Sequence, residues 1–187
     1  MERKALRILG ALGGGIAAGI FGARLLPPIF ASASGSVRAH LGGDPFESLI
    51  QEHRKIESCL REMEHTPTGN VGERTRLYIT LRRTLAKHAM AEEDVVYPML
   101  HDEAGAREDS KRLYDEHADV KIHLYELEQC LRNNQDWTGR VRSLSNLISS
   151  HVRDEEEVEF PKLRRALDNR QKRSLSAGIH REEAMVL

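Results

Sequence analysis

The stretch LAKHAMAEEDVVYPML at residues 85–100 decides the fold of this chain. It places His88 and Glu92 four residues apart within an otherwise apolar stripe. Because residues four apart share one face of an α-helix, one imidazole and one carboxylate can point toward the same interior position. That pair of donor groups suits a first-row divalent or trivalent metal ion.

A second copy of the same pattern, SHVRDEEEVEFPKL, occupies residues 150–163. His151 and Glu155 repeat the four-residue spacing, and each copy continues with acidic residues, an aromatic residue and a proline. The aromatic residue and proline are YP at 97–98 in the first copy and FP at 160–161 in the second. The chain therefore offers two equivalent sets of donors.

Composition excludes several classes of function. Acidic and basic residues nearly cancel, with a net charge of -1, and no basic stripe is present, so we expect no nucleic-acid partner. Cys59 and Cys130 lack CxxC spacing, which argues against a disulfide framework and a thiolate zinc site. Histidine is abundant, at 9 of 187 residues, so a search for metal ligands is justified.

We interpret residues 1–33 as an apolar leader. Basic residues precede an uncharged run at 8–23, and a double proline and the small-residue sequence ASA at 31–33 follow. A cleaved secretory signal, a membrane anchor and a flexible surface tail are the alternatives. We favour membrane association through residues 5–29, or export, over a plain tail, and a cytoplasmic location of the folded domain stays open.

The rest of the chain divides into a linker at 34–43, a helical domain at 44–167 and a polar tail at 168–187. Apolar residues recur at helical spacing in four segments, at about 46–63, 71–96, 113–131 and 137–160, and no strand pattern competes. Pro98 is expected to end or bend the second helix. We predict an all-α fold, an up-down-up-down antiparallel four-helix bundle with a short C-terminal helical or irregular tail.

Four histidines and two glutamates fall at the same depth of this bundle. In that topology, the starts of the first and third helices lie at the same end as the ends of the second and fourth. At ~1.5 Å per residue, the candidates form one layer in a core that is otherwise nearly all aliphatic. The predicted metal ligands are His53, His88, Glu92, His117, His151 and Glu155.

A single inward histidine is more often a hydrogen-bonded core residue, and a lone HxxxE pair can be a surface contact. Six such residues together favour a cation, because two buried carboxylates without one would be costly or protonated. Imidazole with carboxylate suits iron, zinc or manganese. Six ligands exceed the needs of one tetrahedral zinc but would serve two irons, with each carboxylate bridging them.

The order of the residues differs from that of ferritin-like di-iron bundles, which use Glu-x-x-His. The motifs QEH at 51–53, HAMAEEDVVYP at 88–98, DEHADV at 115–120 and HVRDEEEVEFP at 151–161 resemble the hemerythrin family, specifically its HHE cation-binding domain. The resemblance spans roughly residues 44–167. It implies a non-haem centre of two irons per chain, with an oxo or hydroxo bridge, held by the six predicted ligands.

Two positions depart from the oxygen-carrying hemerythrins. Those proteins have a further histidine where this chain has Lys121, and their final carboxylate is an aspartate one residue beyond Glu155, where this chain has Glu156. The departures predict a more open coordination shell at one iron. They argue against reversible oxygen carriage.

Three functions follow from these observations. We favour a non-enzymatic di-iron protein that binds or senses oxygen, nitric oxide or iron itself. The second is an oxidoreductase that consumes peroxide or nitric oxide, in which Tyr97 and Lys121 could supply protons or electrons. The third is a structural bundle in which metal serves stability alone. The expected partner is a small diatomic molecule or peroxide, and the oligomeric state is left open.

Overall fold

The computed structural model describes residues 43–185, so the predicted leader and most of the linker lie outside the described residues. This part of the chain is all-helical, with no strand. Within it, no helix has the length and apolar character needed to cross a membrane. The helices are α1 (Glu47–His65), α2 (Val71–Ala91), α3 (Tyr97–Asp102), α4 (Arg107–Arg132), α5 (Thr138–Asp154), α6 (Phe160–Ala166) and α7 (Asn169–Met185).

The four helices α1, α2, α4 and α5 surround one apolar core, which is consistent with the expected four-helix bundle. Helix α1 packs against α2 and α5, and α4 packs against the same two helices. Trp137, just before α5, donates its indole N–H to the carbonyl of Met63 near the end of α1, over 3.1 Å. Tyr78 in α2 lies 3.3 Å from the carbonyl of Leu124 in α4. The helical spacing of apolar residues thus produces the expected core.

The helix continues past Pro98, contrary to the expectation that this residue could end it. Helix α2 passes into a π-helical turn, Glu92–Val96, and then into α3, with Pro98 in its first turn. A proline inside an α-helix removes a donor and clashes with the carbonyl four residues earlier. The wider π turn, in which the N–H of Tyr97 bonds to the carbonyl of Glu92, relieves that conflict.

The second copy folds in the same way. Helix α5 passes into a π-helical turn, Glu155–Glu159, and then into α6, with Pro161 in its first turn. Each π turn begins at one of the two predicted carboxylate ligands. Single π turns inside α-helices are rare and occur frequently at functional sites. Both turns here begin at the same internal site, because Glu92 and Glu155 lie 3.3 and 2.8 Å from one hydroxyl, that of Tyr97.

The C-terminal tail, expected to be polar and either helical or irregular, is the helix α7. It packs against α2 and against the π turn Glu92–Val96, and it buries Leu175 and Ile179. Gly178 allows this close approach, because a Cβ atom there would lie 2.8 Å from Val95 Cγ1. Helix α7 therefore supports the turn that begins at Glu92.

Candidate metal centre

The structure brings all six predicted metal ligands into one buried cluster. His53 of α1 and His88 of α2 form one pair, with their Nε2 atoms 3.0 Å apart. His117 of α4 and His151 of α5 form a second pair, with their Nε2 atoms 3.2 Å apart. None of the six residues is more than 5% exposed. Helical spacing and bundle depth thus bring the six side chains together, and their role as metal ligands stays a prediction.

The two carboxylates lie between the histidine pairs. Glu92 Oε2 is 3.1 Å from His88 Nε2 in the first pair and 3.4 Å from His117 Nε2 in the second. Glu155 Oε2 makes the same kind of contact with the other two histidines, at 3.2 and 3.4 Å. Each carboxylate therefore contacts imidazoles of both pairs and lies between them.

A glutamate from a neighbouring part of the bundle faces the outer nitrogen, Nδ1, of each histidine. The four pairs are His53 with Glu156 at 2.8 Å, His88 with Glu52 at 3.4 Å, His117 with Glu93 at 3.0 Å, and His151 with Glu116 at 2.7 Å. An ionised carboxylate only accepts hydrogen bonds, so a neutral imidazole beside it carries its hydrogen on Nδ1. The lone pair on Nε2 then points into the centre, as a metal ligand requires.

Several atoms in the centre lack the partners that buried polar atoms need. Glu92 Oε1 and Glu155 Oε2 are buried and have no hydrogen-bond partner. In the neutral tautomer, the Nε2 atoms of His53 and His88 face each other as two acceptors, which cannot form a hydrogen bond. A cation satisfies both deficits, because carboxylate oxygens and imidazole nitrogens are ligands that iron, zinc and manganese accept. The residues present therefore fit a metal centre.

In the absence of metal, the same carboxylates raise the pKa values of these histidines, because they stabilise the protonated imidazole. Burial lowers the pKa of His53, but the nearby carboxylates of Glu155 and Glu92 outweigh it and raise the pKa to about 10. Burial likewise lowers the pKa of His117, and hydrogen bonds to Glu92 and Glu93 raise it to about 9. The centre attracts positive charge, and a metal ion that binds there displaces protons.

The hydroxyl of Tyr97 lies inside the centre, where the sequence suggested only a position near it. Its oxygen is 2.8 Å from Glu155 Oε1, 3.3 Å from Glu92 Oε2 and 3.0 Å from His117 Nε2. Burial, together with the negative charges of Glu155 and Glu92, raises the pKa of Tyr97 well above its usual range. The phenol is therefore a neutral donor, and Glu155 is its nearest acceptor.

The two halves of the centre differ at this position. Phe160 takes the place of Tyr97 in the second copy, and it has no polar group. Its ring stacks on Phe46, with centroids 4.3 Å apart, and lies parallel to the imidazole of His53 at 6.1 Å. Aromatic rings thus pack beside His53, while a hydroxyl lies beside His117.

Lys121 and His101 lie outside the centre. The side chain of Lys121, at the position of the extra histidine of oxygen carriers, is 63% exposed and bonds to Glu93 Oε1 over 3.0 Å. The side chain of His101 is exposed and faces Asp102. Neither residue is within the cluster of buried imidazoles and carboxylates.

The sequence reasoning missed the four outer glutamates. Each is adjacent in sequence to a predicted ligand, so the signal was present as EH at 52–53 and 116–117 and as EE at 92–93 and 155–156. The spacing alone could not show which histidine each glutamate faces, because every one of these contacts joins two different helices.

Fold and site define an all-helical protein whose core holds a cluster of histidines and glutamates able to bind metal cations. The chain belongs to the hemerythrin family: residues 44–163 match the model of the hemerythrin HHE cation-binding domain, which confirms the resemblance found in the sequence. That match covers most of the predicted domain, whose limits at 44 and 167 stay a prediction.

Two relatives are similar over three quarters of the chain. A DNA nickase from Nostoc sp. is 29% identical over an alignment of 148 residues that covers 76% of this chain and 41% of the relative. An uncharacterized hemerythrin-like protein from Schizosaccharomyces pombe is 23% identical over 142 residues, which are 75% of this chain and 69% of the relative. The chain thus spans well under half the length of the Nostoc protein. No solved structure matches.

Proposed function

We propose that this protein holds two irons in its bundle core and there binds or senses a small molecule, such as oxygen or nitric oxide, or iron itself. One observation carries the proposal: each carboxylate contacts an imidazole from both histidine pairs. One iron would be held by His53 and His88 and the other by His117 and His151, with Glu92 a member of both groups of candidate ligands. Glu155 would be shared through its contacts with His53 and His151.

The proposal takes the four bundle helices α1, α2, α4 and α5 to alternate in direction, up-down-up-down. Hydrogen bonds between the end of one helix and the start of another support this arrangement, as between Met63 and Trp137. At the other end of the bundle, Glu116 in the first half of α4 bonds to His151 in the last turn of α5. Antiparallel neighbours bring the ligands of all four helices to one depth.

The residues around the centre limit which molecules can reach it. Aliphatic side chains fill the bundle beside the ligands, including Ile56, Leu81, Leu85 and Ile148. Such a lining admits small uncharged molecules more readily than large or charged ones, because a charge taken out of water is costly. Bound irons would supply open coordination positions and redox chemistry to that small molecule.

Iron content and an optical spectrum test the proposal. Protein loaded with ferrous iron under nitrogen and freed of excess metal should hold two irons per chain. Exposure to air or nitric oxide should produce charge-transfer absorption. Glu157→Ala, which changes an exposed residue two positions after Glu155, should load like the unchanged protein. Iron content well below two per chain after anaerobic loading would refute the di-iron centre.

An oxidoreductase that consumes peroxide or nitric oxide is the second candidate. The Tyr97 hydroxyl favours it, because a neutral phenol inside the centre can donate a proton to a ligand bound there. Catalytic loss of peroxide, abolished in Glu92→Ala and slowed in Tyr97→Phe, would support turnover over simple binding. If neither air nor nitric oxide changes the spectrum while metal raises the melting temperature, the structural role is favoured.

DNA cleavage is a further activity to measure, because the Nostoc relative is named a DNA nickase. We predict no nucleic-acid partner for this chain, whose net charge is -1. Supercoiled plasmid incubated with iron-loaded protein should therefore stay supercoiled. Nicking by the unchanged protein, together with no nicking by Glu92→Ala, would contradict this prediction.

We also propose that residues 5–29 associate the protein with a membrane or direct its export. Their apolar run and flanking basic residues support this location. Full-length protein should sediment with membranes or appear outside the cytoplasm, and protein lacking residues 1–33 should do neither. Identical fractionation of the two forms would refute the proposal.

A further inference from the structure

Each histidine of the centre begins a chain of contacts that runs outward to the surface. Nδ1 of the histidine faces a glutamate, and that glutamate is bonded to a lysine or arginine. The outer pairs are Glu156 with Arg54 at 2.6 Å, Glu52 with Lys87 at 2.5 Å, Glu93 with Lys121 at 3.0 Å, and Glu116 with Arg112 at 2.7 Å. The same three-part chain occurs four times around one site.

The four glutamates link the helical segments in a ring around the bundle. In each case the glutamate belongs to one helical segment and the histidine to the next one around the bundle. Glu52 of α1 faces α2, Glu93 after α2 faces α4, Glu116 of α4 faces α5, and Glu156 after α5 faces α1. Every ligand histidine is thus oriented by a helix other than its own.

The order follows from a sequence repeat. EH at 52–53 and HAMAEE at 88–93 form the first half, and EH at 116–117 and HVRDEE at 151–156 form the second. In each half, the glutamate before the first histidine faces the second histidine. The last glutamate faces the first histidine of the other half. The two halves therefore hold each other's ligands in place.

Ordinary surface ion pairing would not produce this pattern. Exposed carboxylates pair with lysine and arginine at little energetic gain, and they need not touch the core. Here the side chains of Glu93, Glu116 and Glu156 are 19–26% exposed, and each reaches an imidazole nitrogen at 2.7–3.0 Å. The lysine or arginine on the outer side holds the carboxylate in that position.

We propose that Glu52, Glu93, Glu116 and Glu156 are positioning residues that fix the tautomer and direction of the four ligand histidines. The proposal rests on the proposed metal function. It assigns a role to Lys121 as well: this residue holds Glu93 against His117 and does not occupy a vacant ligand position.

The fourth contact is weaker than the other three. Glu52 lies 3.4 Å from His88 Nδ1, and neither that nitrogen nor Glu52 Oε2 has a hydrogen-bond partner. The tests therefore use the shortest contacts, those of Glu116 and Glu156.

The affinity for cobalt(II) measures how the loss of a positioning glutamate changes the metal site. Glu116→Ala and Glu156→Ala should each weaken cobalt(II) affinity by roughly 10–100-fold, measured against a competing chelator, because outer partners of metal ligands contribute at this scale. Glu156→Gln should recover part of that loss, since its amide oxygen can still accept the hydrogen bond. Glu157→Ala is the matched control and should bind like the unchanged protein. Unchanged affinity in both alanine variants would overturn the inference while the metal function stands.

A measurement on the metal-free protein separates this inference from the proposed function. In protein labelled with ¹⁵N at histidine, the Nδ1–H proton of His53 should exchange slowly with solvent. Glu156→Ala should abolish that protection at His53 and leave His151 unchanged, and Glu116→Ala should do the reverse. If the unchanged protein binds neither iron nor cobalt(II), the metal function fails and this result still decides the positioning role. Protection that persists in both variants would overturn it.

Discussion

The hydroxyl of Tyr97 donates a hydrogen bond to Glu155 Oε1 over 2.8 Å, so the tyrosine of the first His-Glu copy holds the carboxylate of the second copy. The relationship is one-sided, because Phe160 stands at the corresponding position and has no hydroxyl. The two histidine pairs therefore have different surroundings although the two copies repeat the same His-Glu spacing.

Tyr97→Phe should destabilise the metal-free protein by ~1–3 kcal/mol, the usual cost when a buried carboxylate loses a donor. Both Tyr97 and Glu155 are fully buried, so water cannot replace the bond. Urea unfolding in the presence of a chelator measures the change. Tyr125→Phe, which alters a side chain on the surface, is the control and should have no effect. Equal stability of Tyr97→Phe and the unchanged protein would contradict the hydrogen bond.

Glu92→Ala should reduce iron binding more than His151→Ala does. Glu92 belongs to both groups of candidate ligands, whereas His151 belongs to one. We therefore expect Glu92→Ala to lose both irons and His151→Ala to retain metal at the His53 and His88 pair. Iron per chain after anaerobic loading measures the difference. Equal losses in the two variants would argue against a shared carboxylate.

The stability of the metal-free protein should fall as the pH rises from about 6.5 toward 9. The pKa values of His53, about 10, and His117, about 9, lie above the ordinary value of 6.5. The folded protein therefore binds more protons than the unfolded chain in this window, and stability decreases with rising pH. Thermal melts in the presence of a chelator test this sign.

The apparent affinity of the protein for metal should change in the opposite direction over the same pH window. Metal binding displaces protons, so the apparent affinity increases as the pH rises. The gap in melting temperature between loaded and metal-free protein should consequently widen from pH 6.5 to 9. A gap that narrows would show that protons and metal do not compete at these histidines.

Gly178→Ala should lower the free energy of unfolding by ~1–3 kcal/mol, because the added methyl group would overlap Val95 in a packed contact. The distance from a Cβ atom at this position to Val95 Cγ1 would be 2.8 Å. Gly139→Ala in α5 is the matched control, since nothing lies within 4 Å of its Cβ position. It should be neutral or stabilising by up to ~1 kcal/mol. Urea unfolding of both variants checks the contrast, and equal effects would contradict close packing of α7.

Much of the fold and of the candidate site could be predicted because both depend on helical spacing. Residues such as His88 and Glu92 share a helix face by geometry alone, and the depth of each candidate follows from counting residues along its helix. Turn and linker residues between the apolar segments gave the approximate helix limits. These are local properties that each segment carries with it.

The π turns are harder to predict from the sequence than the helices are. An uninterrupted α-helix through Pro98 is unfavourable, which suggested an end or a bend at that residue. The alternative of one wider turn depends on packing, because α7 contacts the turn Glu92–Val96 and the hydroxyl of Tyr114 in α4 donates to the carbonyl of Glu93 over 2.7 Å. The packed turn also directs the Tyr97 hydroxyl into the centre.

By itself, the sequence determined the helices, the six predicted ligand positions and their common depth, because periodicity and residue chemistry are local. Only the tertiary structure decided which glutamate faces which histidine, that Lys121 stays outside, and that the polar segment Asn169–Met185 packs as α7. Those contacts join residues far apart in the chain, such as His53 and Glu156. Their selection depends on how neighbouring helices meet, which no single segment specifies.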